Sequence, residues 1–108
     1  MSKTLKQIYI WQLPMTNKRC FKPITYDTVD VRDYVAVYHL KEEIDDKKIN
    51  EYLEELYGKL QIDEPKDYHA RSMMISDLIT YLDTETHEIV GYVVDLIGFK
   101  KVKVVGIN

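Results

Sequence analysis

Two segments in the first forty residues have the composition of β-strands. Residues 8–13 and 34–40 are rich in β-branched and aromatic side chains, which favour a pleated backbone. Pro14 follows the first segment and ends it, because proline cannot donate a ladder hydrogen bond. Apolar side chains occur at both even and odd positions of each segment, so we expect both strand faces to be partly buried.

Residues 44–60 change to a helical period. Apolar side chains recur there at steps of three and four residues, which places them on one stripe of an α-helix. The stripe consists of Ile49, Tyr52, Leu53, Leu56, Tyr57 and Leu60. Asp45 or Asp46 can cap the first free amides, and Gly58 can take the left-handed conformation that ends a helix.

The last third of the chain returns to strand chemistry. Residues 78–82 and 89–94 flank the polar segment 83–88, which suits a hairpin loop. Gly98 interrupts the apolar run, and lysine alternates with valine in the final strand at residues 101–105. Lysines on one face of a terminal strand protect a sheet edge against pairing with another chain.

This order predicts an α+β domain. We expect a mainly antiparallel sheet of about five strands with one main helix on one face, in the order β-β-α-β-β-β. The long segment 15–33 lies between the first two strands, where Phe21 and Tyr26 are expected to pin it to the body and a further short strand fits. The whole chain, 1–108, is expected to be a single domain.

Composition excludes several classes of protein. A content of 45% hydrophobic and 11% aromatic residues excludes intrinsic disorder. No apolar run approaches the roughly 18 residues of a membrane span, and residues 1–7 do not lead into a signal-peptide core. The single cysteine, Cys20, excludes an internal disulfide framework and fits the reducing cytoplasm.

The net charge of −3 is unevenly distributed. Residues 26–70 hold thirteen acidic and six basic residues, whereas residues 1–25 hold five basic residues and no acidic one. The acidic balance argues against a general affinity for nucleic acid, because phosphate binding needs a concentrated positive field. The basic first quarter nevertheless keeps a nucleic-acid-binding accessory domain as an alternative function. Its basic residues are Lys3, Lys6, Lys18, Arg19 and Lys22.

Catalytic and metal-binding motifs are absent from the sequence. The three histidines stand apart, and neither a CxxC nor a phosphate-cradling glycine loop is present. Cys20 with His39 or His69 would form a nominal nucleophile and base, but a half-buried packing role for the cysteine is favoured. Asp77 and Asp95 are an imaginable acid/base pair, but a turn-fixing role for an aspartate after a serine is favoured. We therefore expect no enzyme activity, cofactor or metal.

The predicted helix offers the most unusual surface in the sequence. Acidic side chains surround its two tyrosines, and the five candidate protein-binding residues are Glu51, Tyr52, Glu54, Glu55 and Tyr57. Acidic groups around aromatic anchors suit a basic partner surface, including one that normally receives nucleic-acid phosphate. The competing interpretation is that these glutamates only keep a small domain soluble.

Two stretches resemble the YodL-like family of small bacterial domains. The first is PKDYHARSMMISDLI at residues 65–79, and the second is YVVDLIGFKKV at residues 92–102. The earlier strands and helix are also similar to that family. The chain departs from the family pattern at Met73 and Met74, where a leucine and a small residue are usual.

The resemblance implies a binding role rather than chemistry. Such domains occur alone or inside large proteins of mobile elements and phages, which implies a non-enzymatic module that modulates or inhibits a host protein, for example a defence component. The family implies no catalytic residue. The residues of the matched motif are expected to be structural, and they are Arg71, Ser72, Ser76, Asp77, Asp95, Gly98 and Phe99. We also expect Gly98 to matter more for stability than Gly106, which lies near the end of the chain.

Overall fold

Six strands and one α-helix form the domain. The computed structural model describes residues 3–62, 64–83 and 86–107. Short 3₁₀ turns at Val31–Asp33 and Asp46–Lys48 precede β3 and α1. The regular elements are β1 (Lys3–Gln12), β2 (Thr28–Asp30), β3 (Val35–Asp45), α1 (Ile49–Gln61), β4 (Leu78–Asp83), β5 (Ile89–Val94) and β6 (Phe99–Val105).

All six strands lie in one mixed sheet. Their order is β2-β6-β5-β4-β1-β3, and the β2–β6 pair is parallel while the other four pairs are antiparallel. The α+β class is therefore confirmed, but the predicted mainly antiparallel sheet of about five strands is wrong. The extra strand, β2, has three residues, too few to show an alternating pattern. It joins the sheet edge through tertiary contacts, including a 2.7 Å hydrogen bond from Lys103 N to the Asp27 carbonyl.

Strand and helix ends differ from the sequence prediction where polar residues pair across strands. β1 begins at Lys3 and β3 continues to Asp45, because these charged ends pair with each other in the antiparallel ladder. The helix consequently starts at Ile49 rather than residue 44. Asp45 caps the preceding 3₁₀ turn by accepting from Lys47 N at 3.0 Å. Gly58 lies inside α1, so its predicted role as the helix terminator is wrong.

The main core lies between α1 and one face of the sheet. Ile49, Leu53, Leu56 and Leu60 project from the helix onto apolar side chains of β1 and β4, such as Ile10. These residues repeat at the period that predicted the helix. Burial of this stripe fixes which flanks of α1 remain exposed.

A second core covers part of the opposite sheet face. The segment 13–34 crosses that face and buries Leu13, Ile24, Val29, Val31 and Tyr34 against β4, β5 and β6. Phe21 and Tyr26, which were expected to pin this segment to the body, are both exposed. Phe21 contacts the body through Arg71 and Ser76, whereas Tyr26 bonds to Arg19 within the segment. The buried residues of the segment are aliphatic, apart from Tyr34.

The β4–β5 hairpin is confirmed by its antiparallel register, although residues 84 and 85 of the predicted loop 83–88 lie outside the described residues. Within the described part of the chain, no helix is long and apolar enough to cross a membrane.

Local crowding at two glycines favours the opposite order from the one expected for their substitutions. Gly98 has φ +69° with open space around its Cα, whereas Gly106 has φ +89° and an added Cβ would lie 2.4 Å from Asp30 Oδ1. That carboxylate already accepts from Arg32 N at 2.9 Å, so moving it breaks the cap of the 3₁₀ turn.

We predict that Gly98→Ala costs about 1–2 kcal/mol of unfolding free energy from its left-handed backbone, and that Gly106→Ala costs more. Thermal unfolding of the two variants measures the difference, with each kcal/mol lowering Tm by about 4–8 °C. An unchanged Tm for Gly106→Ala beside a lowered Tm for Gly98→Ala would restore the original order.

Candidate functional site

A buried carboxylate organises the matched motif. Asp77 is 0% exposed and accepts three hydrogen bonds, from Arg71 Nη1 (3.1 Å), Gln12 Nε2 (3.1 Å) and Met74 N (2.9 Å). Burial raises the pKa of the Asp77 carboxyl above its ordinary value, while these donors favour the ionised form and oppose the rise. Asp77 therefore joins β1 to the loop before β4.

Arg71 extends this network toward the segment 13–34. Its Nη2 donates to the Leu13 carbonyl at 2.8 Å and lies 3.4 Å from Cys20 Sγ. Its guanidinium lies 4.9 Å from the centre of the Phe21 ring. One arginine thus holds β4's entry loop, the end of β1 and the segment 13–34 together.

Tyr68 closes the network on its inner side. Its hydroxyl donates to the Arg71 carbonyl at 2.6 Å and lies 3.2 Å from Gln12 Nε2, which donates to it. Burial raises the pKa of Tyr68 to about 12, so the phenol stays protonated as a donor at neutral pH.

Ser76 connects the network to β5. Its backbone has φ 82°, its hydroxyl accepts from Phe21 N at 3.0 Å, and its carbonyl accepts from Tyr34 Oη at 2.9 Å. Ser76 N donates to the Val94 carbonyl, and Val94 N donates to the Asp77 carbonyl. Val94 is the last residue of β5, so the network reaches the start of the next turn.

The other motif residues have different surroundings. Ser72 donates to the exposed Glu64 carboxylate at 3.0 Å and takes no part in the buried network. Asp95 and Gly98 close the β5–β6 turn, with Asp95 N donating to the Gly98 carbonyl at 3.0 Å and Asp95 Oδ1 accepting from Leu96 N at 2.8 Å. We call residues 95–98 the hairpin tip.

The hairpin tip presents two aliphatic side chains to solvent. Leu96 is 70% exposed and Ile97 is 93% exposed. Beside them lies a cavity of about 210 Å³, which we call the tip pocket. Its lining includes Glu54, Tyr57, Asp95, Leu96, Gly98 and Phe99.

The two tyrosines among the five predicted binding residues lie on different flanks of α1. Tyr52 and Tyr57 are five positions apart, which turns them about 140° from each other around a helix. Glu54 and Tyr57 line the tip pocket, whereas Glu51, Tyr52 and Glu55 face the groove between α1 and β3. The buried stripe of α1 lies between Tyr52 and Tyr57, whereas Glu51, Glu54 and Glu55 are neighbours on the exposed side of the helix.

The groove between α1 and β3 holds one unusual group. The Tyr52 hydroxyl is buried and has no hydrogen-bond partner among the described residues. Burial, followed by the charges of Glu42 and Glu55, raises the Tyr52 pKa strongly. The Tyr52 phenol is therefore neutral at ordinary pH.

The basic residues of the first quarter are also separated. Lys6 is fully buried and donates to Thr4 Oγ1 at 2.7 Å and to carboxylates of Asp46 (2.8 Å) and Asp83 (3.0 Å). Burial alone would lower the Lys6 pKa, but those two aspartates outweigh it and raise the pKa. Arg19 is paired with Asp33 at 2.8 Å. Lys3, Lys18 and Lys22 remain exposed, with Lys3 on β1 and the other two in the segment 13–34.

Cys20 lies against the Arg71 guanidinium and donates to the Leu13 carbonyl at 3.6 Å. His39 stacks on Tyr9 with 4.4 Å between ring centres, and His69 is exposed in a loop. In the described part of the chain no histidine is a partner of Cys20, and no cluster of metal-ligating side chains occurs.

These features define the class: an α+β domain with a mixed sheet, a buried carboxylate network in the loop before β4, and an exposed hairpin tip between β5 and β6. The chain belongs to the YodL-like domain family, since the family model matches residues 7–104 of 108. The resemblance inferred from residues 65–79 and 92–102 is thereby confirmed. No curated protein and no solved structure matches the chain.

Sequence reasoning missed Leu96 and Ile97 as candidate binding residues. It treated them only as part of a turn. Their residue type could have indicated a binding role. Turns usually carry glycine, proline and short polar residues rather than two large aliphatic ones.

We predict that Arg71→Met lowers the unfolding free energy by about 3 kcal/mol, because it leaves the buried Asp77 carboxylate without its charged partner. Removing the guanidinium raises the Asp77 pKa further, so the folded state binds the proton more readily than the unfolded state. The loss is therefore largest at neutral pH and shrinks as the pH falls toward the ordinary carboxyl range of about 4.

Denaturant unfolding at several pH values measures this dependence. Arg32→Met is the matched control, because the Arg32–Asp30 ion pair lies on the surface. A loss from Arg71→Met that stays constant down to low pH would contradict the assigned role of Asp77.

Proposed function

We propose that this domain is a non-enzymatic protein-binding module that contacts its partner with the hairpin tip and the tip pocket. The observation that carries the proposal is the exposure of Leu96 and Ile97 on a closed turn. Exposed apolar side chains beside polar groups mark protein interaction sites, and a hydrogen-bonded turn that holds them in place reduces the entropic cost of binding. Acidic and aromatic groups beside them supply the surrounding polar and packing contacts.

The hydrogen bonds of the buried polar groups support a binding role, because these groups are used to hold the fold. Asp77, Arg71 and Cys20 direct their polar atoms at one another or at backbone carbonyls. They hold the fold around the tip, which agrees with a scaffold for recognition.

The family resemblance supports a proposal for the biological setting of this binding. We infer that the domain comes from a bacterial mobile element or phage and acts in the cytoplasm on a host protein, for example a component of a defence system. Its effect on that protein would be modulation or inhibition by occupying a surface.

We predict that the double variant Leu96→Ser, Ile97→Ser loses its partner while keeping the fold. Each lost interface anchor costs more than about 1 kcal/mol, so binding falls at least tenfold. Tagged proteins expressed in source cells, followed by quantitative mass spectrometry of what they capture, measure the effect.

Ile62→Ser is the matched control, because Ile62 is 84% exposed and lies at the end of α1, away from the tip pocket lining. A protein captured by the wild type and by Ile62→Ser but lost with the double variant supports the proposal. Equal capture by all three proteins, or capture of nothing by the wild type, contradicts it.

The separation of the two helix flanks gives a sharper charge test. Glu54 lines the tip pocket and Glu55 faces the α1–β3 groove. We predict that Glu54→Lys slows association with the captured partner and flattens the salt dependence of its rate, whereas Glu55→Lys has a smaller effect. Stopped-flow association rates at several salt concentrations decide this, and equal slowing by the two variants would locate binding on the whole acidic helix instead.

A further inference from the structure

The tip pocket combines two kinds of side chain that bind cations. Tyr57 and Phe99 form an edge-to-face pair, with 6.2 Å between ring centres and 81° between planes. Glu54 and Asp95 line the same cavity of about 210 Å³. Aromatic rings attract a cation through their quadrupole, and carboxylates attract it through their charge.

No cation of the described residues neutralises this cavity. Neither Glu54 nor Asp95 forms an ion pair among those residues. The nearby β6 lysines are directed elsewhere, since Lys100 pairs with Asp27 at 3.4 Å and Lys101 lines a different cavity beside Tyr92. The negative charge of the tip pocket is therefore available to a partner.

We propose that the tip pocket receives an arginine side chain of the partner protein, an inference that rests on the proposed protein-binding function. A guanidinium is planar and weakly hydrated, so it can pack on an aromatic ring while donating to carboxylates at its edge. Lysine offers only a compact, strongly hydrated charge. The exposed Leu96 and Ile97 then contact apolar residues on either side of that arginine.

The geometry of the turn keeps the acceptor in place. Asp95 lines the pocket, and its Oδ1 accepts from Leu96 N at 2.8 Å, which restrains the orientation of its carboxylate. Its remaining lone pairs are free to accept from a guanidinium. The same turn thus fixes both the apolar contacts and the charge that faces the arginine.

The test compares a small arginine compound with its uncharged analogue. The full-length protein is titrated with N-acetyl-arginine amide and, separately, with N-acetyl-citrulline amide, and amide chemical shifts are followed by NMR. We expect saturable shifts at Leu96, Ile97 and Gly98 with the arginine compound, and at least fivefold weaker binding of the citrulline compound.

Two conservative variants assign the binding to the carboxylates. Glu54→Gln and Asp95→Asn should each weaken binding of the arginine compound about two- to fivefold, as expected for an exposed charge contact. Asp95→Asn retains an oxygen that can accept from Leu96 N. Glu55→Gln, on the other flank of α1, should leave the affinity unchanged.

Equal binding of the two compounds, or shifts located away from the hairpin tip, would overturn the arginine assignment. That failure is distinguishable from failure of the proposed function. Partner capture that depends on Leu96 and Ile97 would support the protein-binding function. If Glu54→Gln then leaves the partner affinity unchanged, the tip pocket does not bind an arginine of that partner.

Discussion

The buried carboxylate of Asp77 is the interaction on which the arrangement of this domain depends. A carboxylate removed from water is costly unless donors surround it, and here an arginine, a glutamine and a backbone amide provide them. These donors come from the end of β1 and from the loop before β4. The ion pair therefore specifies how the segment 13–34 and the entry loop of β4 meet the sheet, beyond what apolar burial alone would determine.

The same network reaches the surface that we assign to binding. Ser76 and Asp77 exchange backbone hydrogen bonds with Val94, the last residue before the hairpin tip. The two stretches that carry the family resemblance are thus joined physically: one builds the buried network, and the other forms the tip that the network supports. A support of this kind lowers the entropic cost of binding, because the exposed Leu96 and Ile97 are positioned before the partner arrives.

The sequence predicted the elements whose hydrophobic pattern reflects burial. It did not predict the elements and element ends that form only through tertiary contacts. The stripe from Ile49 to Leu60 located the helix, and two apolar runs on either side of a polar loop located β4 and β5. The three residues of β2 carry no pattern, and the charged ends of β1 and β3 are strands only because they pair with each other. The acidic helix was recognised, but a sequence does not show that the buried stripe divides Tyr52 from Tyr57. The crowding of Gly106 by Asp30 is a long-range contact, which a sequence does not show.

The central claim is that the hairpin tip, which the Asp77 network supports, is the binding surface. Amide hydrogen exchange tests this claim when the free domain is compared with its complex with the captured partner. We expect the amides that gain protection in the complex to be concentrated at residues 95–99 and on the Glu54–Tyr57 side of α1. Exchange there would slow while the outer strand β3 stays unchanged. Protection confined to β1 or β3, with the tip exchanging as in the free protein, would contradict this claim.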